Sequence, residues 1–142
     1  MKIISVDPGK TTGVAMYQVE NFESRFAVYQ FTNIPDVIEL LKKELPDVVL
    51  VESFKLHKNK ATQLSGQENY SAEVIGAIKV FCAGELIPIR QQAPAVKDTV
   101  MQSLLERIGF WLPTKGMPHA RDAARHLAAY LFKSSGVANV EI

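Results

Sequence analysis

The segment MKIISVDPGKTTGVAMY, residues 1–17, decides what fold this chain is expected to adopt. An apolar strand ends at Asp7, the chain turns through Pro8 and Gly9, and a second apolar strand follows. A carboxylate at a strand end, beside a glycine that leaves the backbone bare, suits a metal ion or a phosphate group. Asp-Pro-Gly is also an ordinary turn between strands, so later residues must decide between these interpretations.

The apolar pattern that follows predicts a strand meander and then alternating helices and strands. Strands are expected at residues 2–6, 13–19, 25–31, 48–51 and 86–90. Helices are expected between Asn33 and Pro46, and at about 62–82, 94–107 and 119–133. This βββαβαβαα order predicts an α/β protein of the ribonuclease-H-like fold, with a mixed five-stranded sheet flanked by helices.

Length and composition predict one globular domain over residues 1–142, with a flexible tail of about eight residues at its end. Hydrophobic residues make up 47% and charged residues 22% of the chain, and the net charge of +1 does not by itself indicate a nucleic-acid binder. Cys82 is the single cysteine, so a disulfide framework is excluded and we expect it in the core. With no leader-like start and no apolar run of membrane-spanning length, the expected location is the cytoplasm, away from membranes.

Three carboxylates lie at positions that the predicted fold can bring together. Asp7 ends the first strand, Glu52 ends the fourth, and Asp122 lies in the first turn of the last helix. Open α/β sheets bind ligands at the carboxyl ends of their strands. His119 and Asp122 are three residues apart and share a helical face with His126, which we interpret as a packing residue.

Such a cluster is typical of a divalent metal site. Carboxylates crowded together raise one another's pKa unless cations neutralise them. Mg²⁺ takes oxygen ligands and keeps several waters, and two ions about 4 Å apart can hold both the attacking water and the leaving oxygen of a phosphodiester. We therefore expect two Mg²⁺ ions, with Mn²⁺ as a substitute, bridged by Asp7. His119 would either bind an ion or position the water.

Six segments of the chain match motifs of a known family. They are VDPGKTTGVA with Asp7, VVLVESF with Glu52, QLSGQ and VIGAIK on the next helix, PAVKDTV with Lys97, and HARDAARHLAAYL with His119 and Asp122. In these motifs, which come in the family's order and span nearly the whole chain, the sequence resembles the RuvC-type Holliday junction resolvases, particularly the short bacteriophage forms.

This resemblance implies a homodimeric, Mg²⁺-dependent endonuclease that resolves Holliday junctions, and other branched DNA such as forks and flaps, by hydrolysing phosphodiester bonds in paired strands. It carries over Asp7, Glu52, His119 and Asp122 as metal ligands and catalytic residues. Lys97 matches the family's lysine near the scissile phosphate, where an ammonium group stabilises developing negative charge.

The segment after Glu52 is expected to contact DNA. Phe54 falls close to the family's aromatic residue near the junction, where an exposed ring can stack on an unpaired base. Lys55, Lys58 and Lys60 form a compact basic stretch that can follow phosphates. A packed ring and a merely solvated loop are the structural alternatives.

Two other functions remain open at the level of sequence. One is a YqgF-like RNA-processing nuclease, which shares the Asp-x-Gly opening and a terminal Asp-Ala-Ala helix and would cut RNA. The other is a junction-binding module without catalysis, although an unused acidic cluster would repel DNA phosphates.

Overall fold

A computed structural model describes residues 1–53 and 66–134, excluding the side chains of residues 66–69 and Ser134. The predicted tail lies outside these ranges. The strands are β1 (Lys2–Asp7), β2 (Thr12–Glu20), β3 (Glu23–Phe31), β4 (Val48–Glu52) and β5 (Ile89–Gln92). The α-helices are α1 (Ile34–Glu44), α2 (Gly66–Glu85), α3 (Gln102–Arg107) and α4 (Pro118–Ser134), with 3-10 helices at Pro94–Thr99 and Leu112–Thr114. None of the described helices is long and apolar enough to cross a membrane.

The five strands form one mixed sheet in the order β3-β2-β1-β4-β5. β1, β2 and β3 pair antiparallel, whereas β4 runs parallel to both β1 and β5. The predicted mixed five-stranded sheet flanked by helices is therefore confirmed. Because β1, β4 and β5 run in the same direction, their carboxyl ends lie along one edge of the sheet.

Hydrophobic residues on both faces of the sheet are covered by helices. Alternation along β1 directs Ile4 and Val6 to one face and Ile3 to the other. On the first face α1 and α2 pack over the sheet, and Cys82 of α2 is buried there as predicted. Burial raises the pKa of its thiol to about 11. On the second face α3 and α4 pack over the sheet, so that α4 has one side against the strands.

The first helix begins and ends where the sequence indicates. Asn33 caps α1, since its side-chain oxygen accepts a hydrogen bond from the Asp36 backbone N–H at 2.9 Å, and Pro35 lies in the first turn. Leu45 leaves the helix with a left-handed φ of 42°, immediately before Pro46.

The fifth strand begins three residues later than the sequence pattern predicts. Leu86 adopts a left-handed φ of 59° that ends α2, and Ile87 donates its N–H back to the Cys82 carbonyl at 2.9 Å. Pro88 has no N–H to donate to a strand, although its carbonyl accepts a hydrogen bond from Val49 at 3.0 Å. Regular pairing therefore starts at Ile89 and carries the strand to Gln92.

The helix expected at 94–107 is two shorter helices. Thr99 turns its hydroxyl onto the Val96 carbonyl at 2.7 Å, and Val100 is extended with φ −102° and ψ 109°. A hydroxyl bound to the preceding turn competes with continued helix. The break leaves Lys97 on a 3-10 helix of its own, beside the edge where the parallel strands end.

Candidate functional site

Three polar residues stand in a row at the carboxyl ends of the parallel strands. Asp7 ends β1, Glu52 ends β4 and Gln92 ends β5. Val6 pairs with Val51, and Glu52 pairs with Gln92, so the three are neighbours across the sheet. Asp7 and Glu52 are joined by a side-chain hydrogen bond.

Helix α4 supplies three further side chains from one face. His119, Asp122 and His126 recur at intervals of three and four residues, which places them one above another on a helix. The adjacent stripe of the helix surface packs Ala123 and Leu127 onto the sheet. The amphipathic pattern of α4 therefore turns its polar side chains toward the strand ends.

Glycine at position 13 allows the start of α4 to approach the sheet closely. A Cβ atom at Gly13 would overlap the backbone of His119 and Ala120. Gly13 pairs with Asp7 on one side and with Gln30 on the other, so the close approach occurs directly beside Asp7. A side chain at Gly13 would force the helix, and His119 with it, away from the strand ends.

Gln30 of β3 caps the same helix from the sheet. Its side-chain oxygen accepts hydrogen bonds from the backbone N–H groups of His119 at 3.0 Å and Ala120 at 3.3 Å. These N–H groups belong to the first turn, where a helix offers them no carbonyl partners of its own. Gln30 and Gly13 together fix where the first turn of α4 lies.

Asp7 has the most strongly shifted pKa in this cluster. It is buried, and this burial together with the neighbouring Glu52 carboxylate raises its pKa from 3.8 to about 8. Lys97 opposes the increase without cancelling it. At neutral pH the site therefore disfavours a negative charge at Asp7 unless further positive charge is supplied.

Neighbouring groups compensate the negative charge of Glu52 better than that of Asp7. Burial raises its pKa, but the hydrogen bond from His126 and the charge of Lys97 outweigh burial, and the net pKa is lowered. The Lys97 ammonium lies 3.3 Å from each Glu52 carboxylate oxygen, and His126 Nε2 lies 3.0 Å from Oε2. Glu52 is consequently the ionised member of the Asp7–Glu52 pair.

Lys97 also connects Glu52 to Asp122. Its ammonium is 3.5 Å from Asp122 Oδ2, and Arg125 contacts the other oxygen of Asp122 at 3.2 Å. Burial lowers the pKa of Lys97, but the charges of Glu52, Asp122 and Asp7 outweigh it, and the net pKa is raised. Lys97 therefore remains a cation among three carboxylates.

His119 lies at the open side of the cluster. Its Nδ1 is 3.7 Å from Asp7 Oδ2, and 40% of its side chain is exposed, whereas the side chain of Asp7 is 12% exposed. An imidazole in this position has solvent on one side and the least compensated carboxylate on the other. It offers a ring nitrogen at the entrance to the site.

The donor set has the chemistry that a hard divalent cation requires. Asp7, Glu52 and Asp122 offer carboxylate oxygens, His119 offers an imidazole nitrogen, and the raised pKa of Asp7 marks a deficit of positive charge. In the described ranges 1–53 and 66–134, no three acidic, histidine or cysteine side chains converge closely enough to coordinate one ion. The ammonium of Lys97 stands between Glu52 and Asp122.

All five residues expected to perform catalysis lie in the described chain and gather at one edge of the sheet: Asp7, Glu52, Lys97, His119 and Asp122. The four expected DNA contacts, Phe54, Lys55, Lys58 and Lys60, lie outside the described residues.

The structure adds residues that the sequence pattern did not indicate. His126 was interpreted as a packing residue, yet it bonds Glu52; Gln92 bonds His126 and Gln30 caps α4. His126 falls four residues after Asp122, and this spacing is the one clue in the sequence that it lies beside the site. The two glutamines carry no such pattern.

Solved structures of junction resolvases share this fold. Thermus thermophilus RuvC in complex with a Holliday junction substrate superposes with a TM-score of 0.64 at 16% identity, covering 96% of this chain and 98% of RuvC. The Fowlpox virus resolvase, solved with Holliday junction DNA, gives 0.65 at 17% identity, covering 92% and 99%. The yeast mitochondrial Holliday junction resolvase Ydc2 gives 0.61 at 13% identity, covering 97% and 80%.

These similarities confirm the ribonuclease-H-like fold, in the form found in RuvC-type resolvases, over nearly the whole chain. At the level of sequence, no protein-family model and no curated protein matches the chain.

Proposed function

We propose that this protein is a divalent-metal-dependent endonuclease that resolves four-way DNA junctions and acts on branched DNA as a homodimer. The observation that carries the proposal is the position of Asp7, Glu52 and Asp122 at one edge of the sheet, with the Lys97 ammonium in contact with Glu52 and Asp122. It occurs at the strand-end edge of a fold that three junction resolvases share. Carboxylates gathered in this way destabilise the fold unless cations neutralise their charge. Such clusters are therefore typical of functional sites that bind cations.

Asp7, Glu52, Asp122 and His119 are the residues that would hold the metal. Two Mg²⁺ ions, or Mn²⁺ in their place, would lower the pKa of a bound water and stabilise charge on the phosphate. The high pKa of Asp7 supports its place among the residues that would hold the metal, because it is the carboxylate with the greatest need of positive charge.

Lys97 is proposed to stabilise the phosphate during hydrolysis. Its raised pKa keeps the ammonium charged throughout the neutral range. In the DNA-free protein this charge is shared between Glu52 and Asp122, and a phosphate approaching the strand ends offers it a further anionic partner. The ammonium then donates to a non-bridging oxygen on which negative charge develops.

His119 is proposed to orient the attacking water or to bind an ion at the entrance. The water oxygen bonds to phosphorus and releases one proton to the solvent, the bond from phosphorus to the leaving sugar oxygen breaks, and that oxygen takes up one proton from the solvent. The exposure of His119 to solvent and its proximity to Asp7 support this role.

The branched substrate is proposed from the resemblance and from the fold. Phe54 is expected to stack near the branch point, and Lys55, Lys58 and Lys60 to follow the phosphates beside Glu52. Two copies of the chain would supply the two sites that paired cuts need.

Cleavage of end-labelled DNA tests the proposal. Four-way junctions, forks, flaps and linear duplex, together with structured RNA, are incubated with Mg²⁺, Mn²⁺ or EDTA. We expect paired nicks in the junction with either ion and no cutting in EDTA. Asp122→Asn should abolish the nicks, whereas Asp98→Asn, at an exposed carboxylate of the neighbouring 3-10 helix, should leave them unchanged.

The other outcomes each contradict the proposal in a different way. Cutting confined to RNA would favour an RNA-processing nuclease. Tight junction binding without cutting, under every metal, would favour a binding module. Cutting by Asp122→Asn at the parent rate would show that this carboxylate cluster is not the catalytic centre.

A further inference from the structure

His126 is a buried histidine to which the proposed reaction gives no task. Only 1% of its side chain is exposed, and it lies where α4 crosses the ends of β4 and β5. Its ring joins two of these strand ends, with Nε2 3.0 Å from Glu52 Oε2 and Nδ1 2.6 Å from Gln92 Oε1. An imidazole in contact with a polar partner at each nitrogen is held in one orientation, because rotation would separate these buried polar atoms.

We propose that His126 is a positioning residue for Glu52. The inference rests on the proposed function and extends it to the residue that orients one of the metal ligands. Through Nε2 the ring fixes Oε2 of Glu52, which defines the plane of the whole carboxylate before an ion or DNA arrives. Gln92 holds the ring from its far side, so the β5 strand end acts on Glu52 through His126.

Lys97 alone does not fix the orientation of the Glu52 carboxylate. Lys97 contacts both oxygens of Glu52 at 3.3 Å, but it is a flexible chain that also reaches Asp122. When its ammonium turns toward a phosphate, its hold on Glu52 weakens. His126 lies in the core and cannot follow the substrate, so it keeps the carboxylate in place during that movement. Partners beyond the direct ligands commonly change metal affinity 10- to 100-fold or so.

Two amide substitutions separate positioning from packing. In His126→Gln the side-chain nitrogen reaches as far as Nε2 and keeps the bond to Glu52, whereas in His126→Asn it reaches only as far as Nδ1 and keeps the contact with Gln92. Isothermal titration calorimetry with Mg²⁺ or Mn²⁺ on the DNA-free protein measures the affinity directly. We expect His126→Asn to bind about 10- to 100-fold more weakly and His126→Gln to stay close to the parent.

Cleavage kinetics provide a second measurement on the same variants. The Mg²⁺ concentration for half-maximal kcat should rise in His126→Asn, while KM for the junction stays unchanged. If thermal melts show that the His126 variants do not fold, Gln92→Ala is used instead. It removes the contact that holds the His126 ring while keeping His126 itself, and it should also weaken Mg²⁺ binding.

Equal Mg²⁺ affinity in His126→Asn, Gln92→Ala and the parent would overturn the inference and leave the proposed function intact. Loss of affinity to the same extent in His126→Gln and His126→Asn would also overturn it, because the bond to Glu52 would then be irrelevant. A parent protein that binds neither ion would overturn the proposed function together with this inference.

Discussion

The replacement Asp7→Asn should remove cleavage and yet stabilise the metal-free protein. Asp7 has a pKa of about 8 in the folded chain, because it is buried and faces Glu52, against an ordinary 3.8. Asparagine resembles the protonated carboxyl in size and can still donate a hydrogen bond to Glu52. The substitution therefore keeps the neutral form that the fold prefers and removes the charge that it disfavours.

The sign of the pH dependence follows from these two pKa values. Below pH 3.8 the carboxyl is protonated whether the chain is folded or not. Between 3.8 and about 8 the unfolded chain releases the proton and the folded chain keeps it, so the stability of the parent falls as pH rises. Each pKa unit corresponds to about 1.4 kcal/mol, which sets a ceiling of about 4 kcal/mol at pH 7.

We expect the measured gain to be about 1–3 kcal/mol, since Lys97 and solvent relax toward the charged form. For a chain of this size that is a rise in Tm of about 3–10 °C in EDTA, measured by differential scanning calorimetry at pH 7. Added Mg²⁺ should raise the Tm of the parent and leave that of Asp7→Asn nearly unchanged, because binding stabilises only the folded form that holds the ion.

Glu52→Gln is the matched control with the opposite sign. The pKa of Glu52 is lowered because His126 and Lys97 outweigh its burial, so its charge stabilises the fold above its ordinary pKa. Removing this charge should lower the Tm at pH 7 and abolish cleavage. If Asp7→Asn is no more stable than the parent in EDTA between pH 7 and 8, the reasoning from crowded charge is wrong.

Three further predictions concern other parts of the molecule. Gly13→Ala should cost about 2–4 kcal/mol in urea unfolding and reduce cleavage, because its Cβ would overlap the His119 backbone; an unchanged midpoint would contradict the packing at the start of α4. Lys97→Met should lower kcat about 100-fold or more and leave KM for the junction nearly unchanged in a Mg²⁺-saturated assay; a change in KM alone would reduce Lys97 to a binding role. Glu44→Gln should remove about 1 kcal/mol of stability at pH 7, because the hydrogen bond from Lys2 at 2.9 Å lowers the pKa of Glu44. That loss should shrink as pH falls from the ordinary pKa of Glu44, 4.5, through its lowered pKa in the folded chain, and a penalty that does not change with pH would exclude the ion pair as its source.

The sequence predicts the frame of this molecule well, because periodicity and turn chemistry are local. Asn33 and Pro35 define the start of α1, and alternation along β1 defines the two faces of the sheet. The break between Thr99 and Gln102 could not be read in this way, since it depends on a hydroxyl bonding one particular carbonyl and on an extended Val100.

The site follows the same division between local and long-range information. Asp7 and Glu52 could be assigned to one edge because their strands are predicted to end there. His126 could not be assigned a partner, since its two contacts come from β4 and β5, which are 74 and 34 residues away in the chain. Gln30, 89 residues before His119, poses the same difficulty.

The packing of α4 against strands that precede it in the sequence also has a consequence for synthesis on the ribosome. Asp7 and Glu52 leave the ribosome well before Asp122, and a synthesis rate of about 5–20 residues per second separates Glu52 from Asp122 by roughly 4–14 seconds. During that interval the growing chain has a sheet edge with two carboxylates and none of the groups that α4 adds. On the function proposed above, a ribosome-bound fragment therefore cannot cut DNA until α4, which carries His119 and Asp122, docks on the sheet.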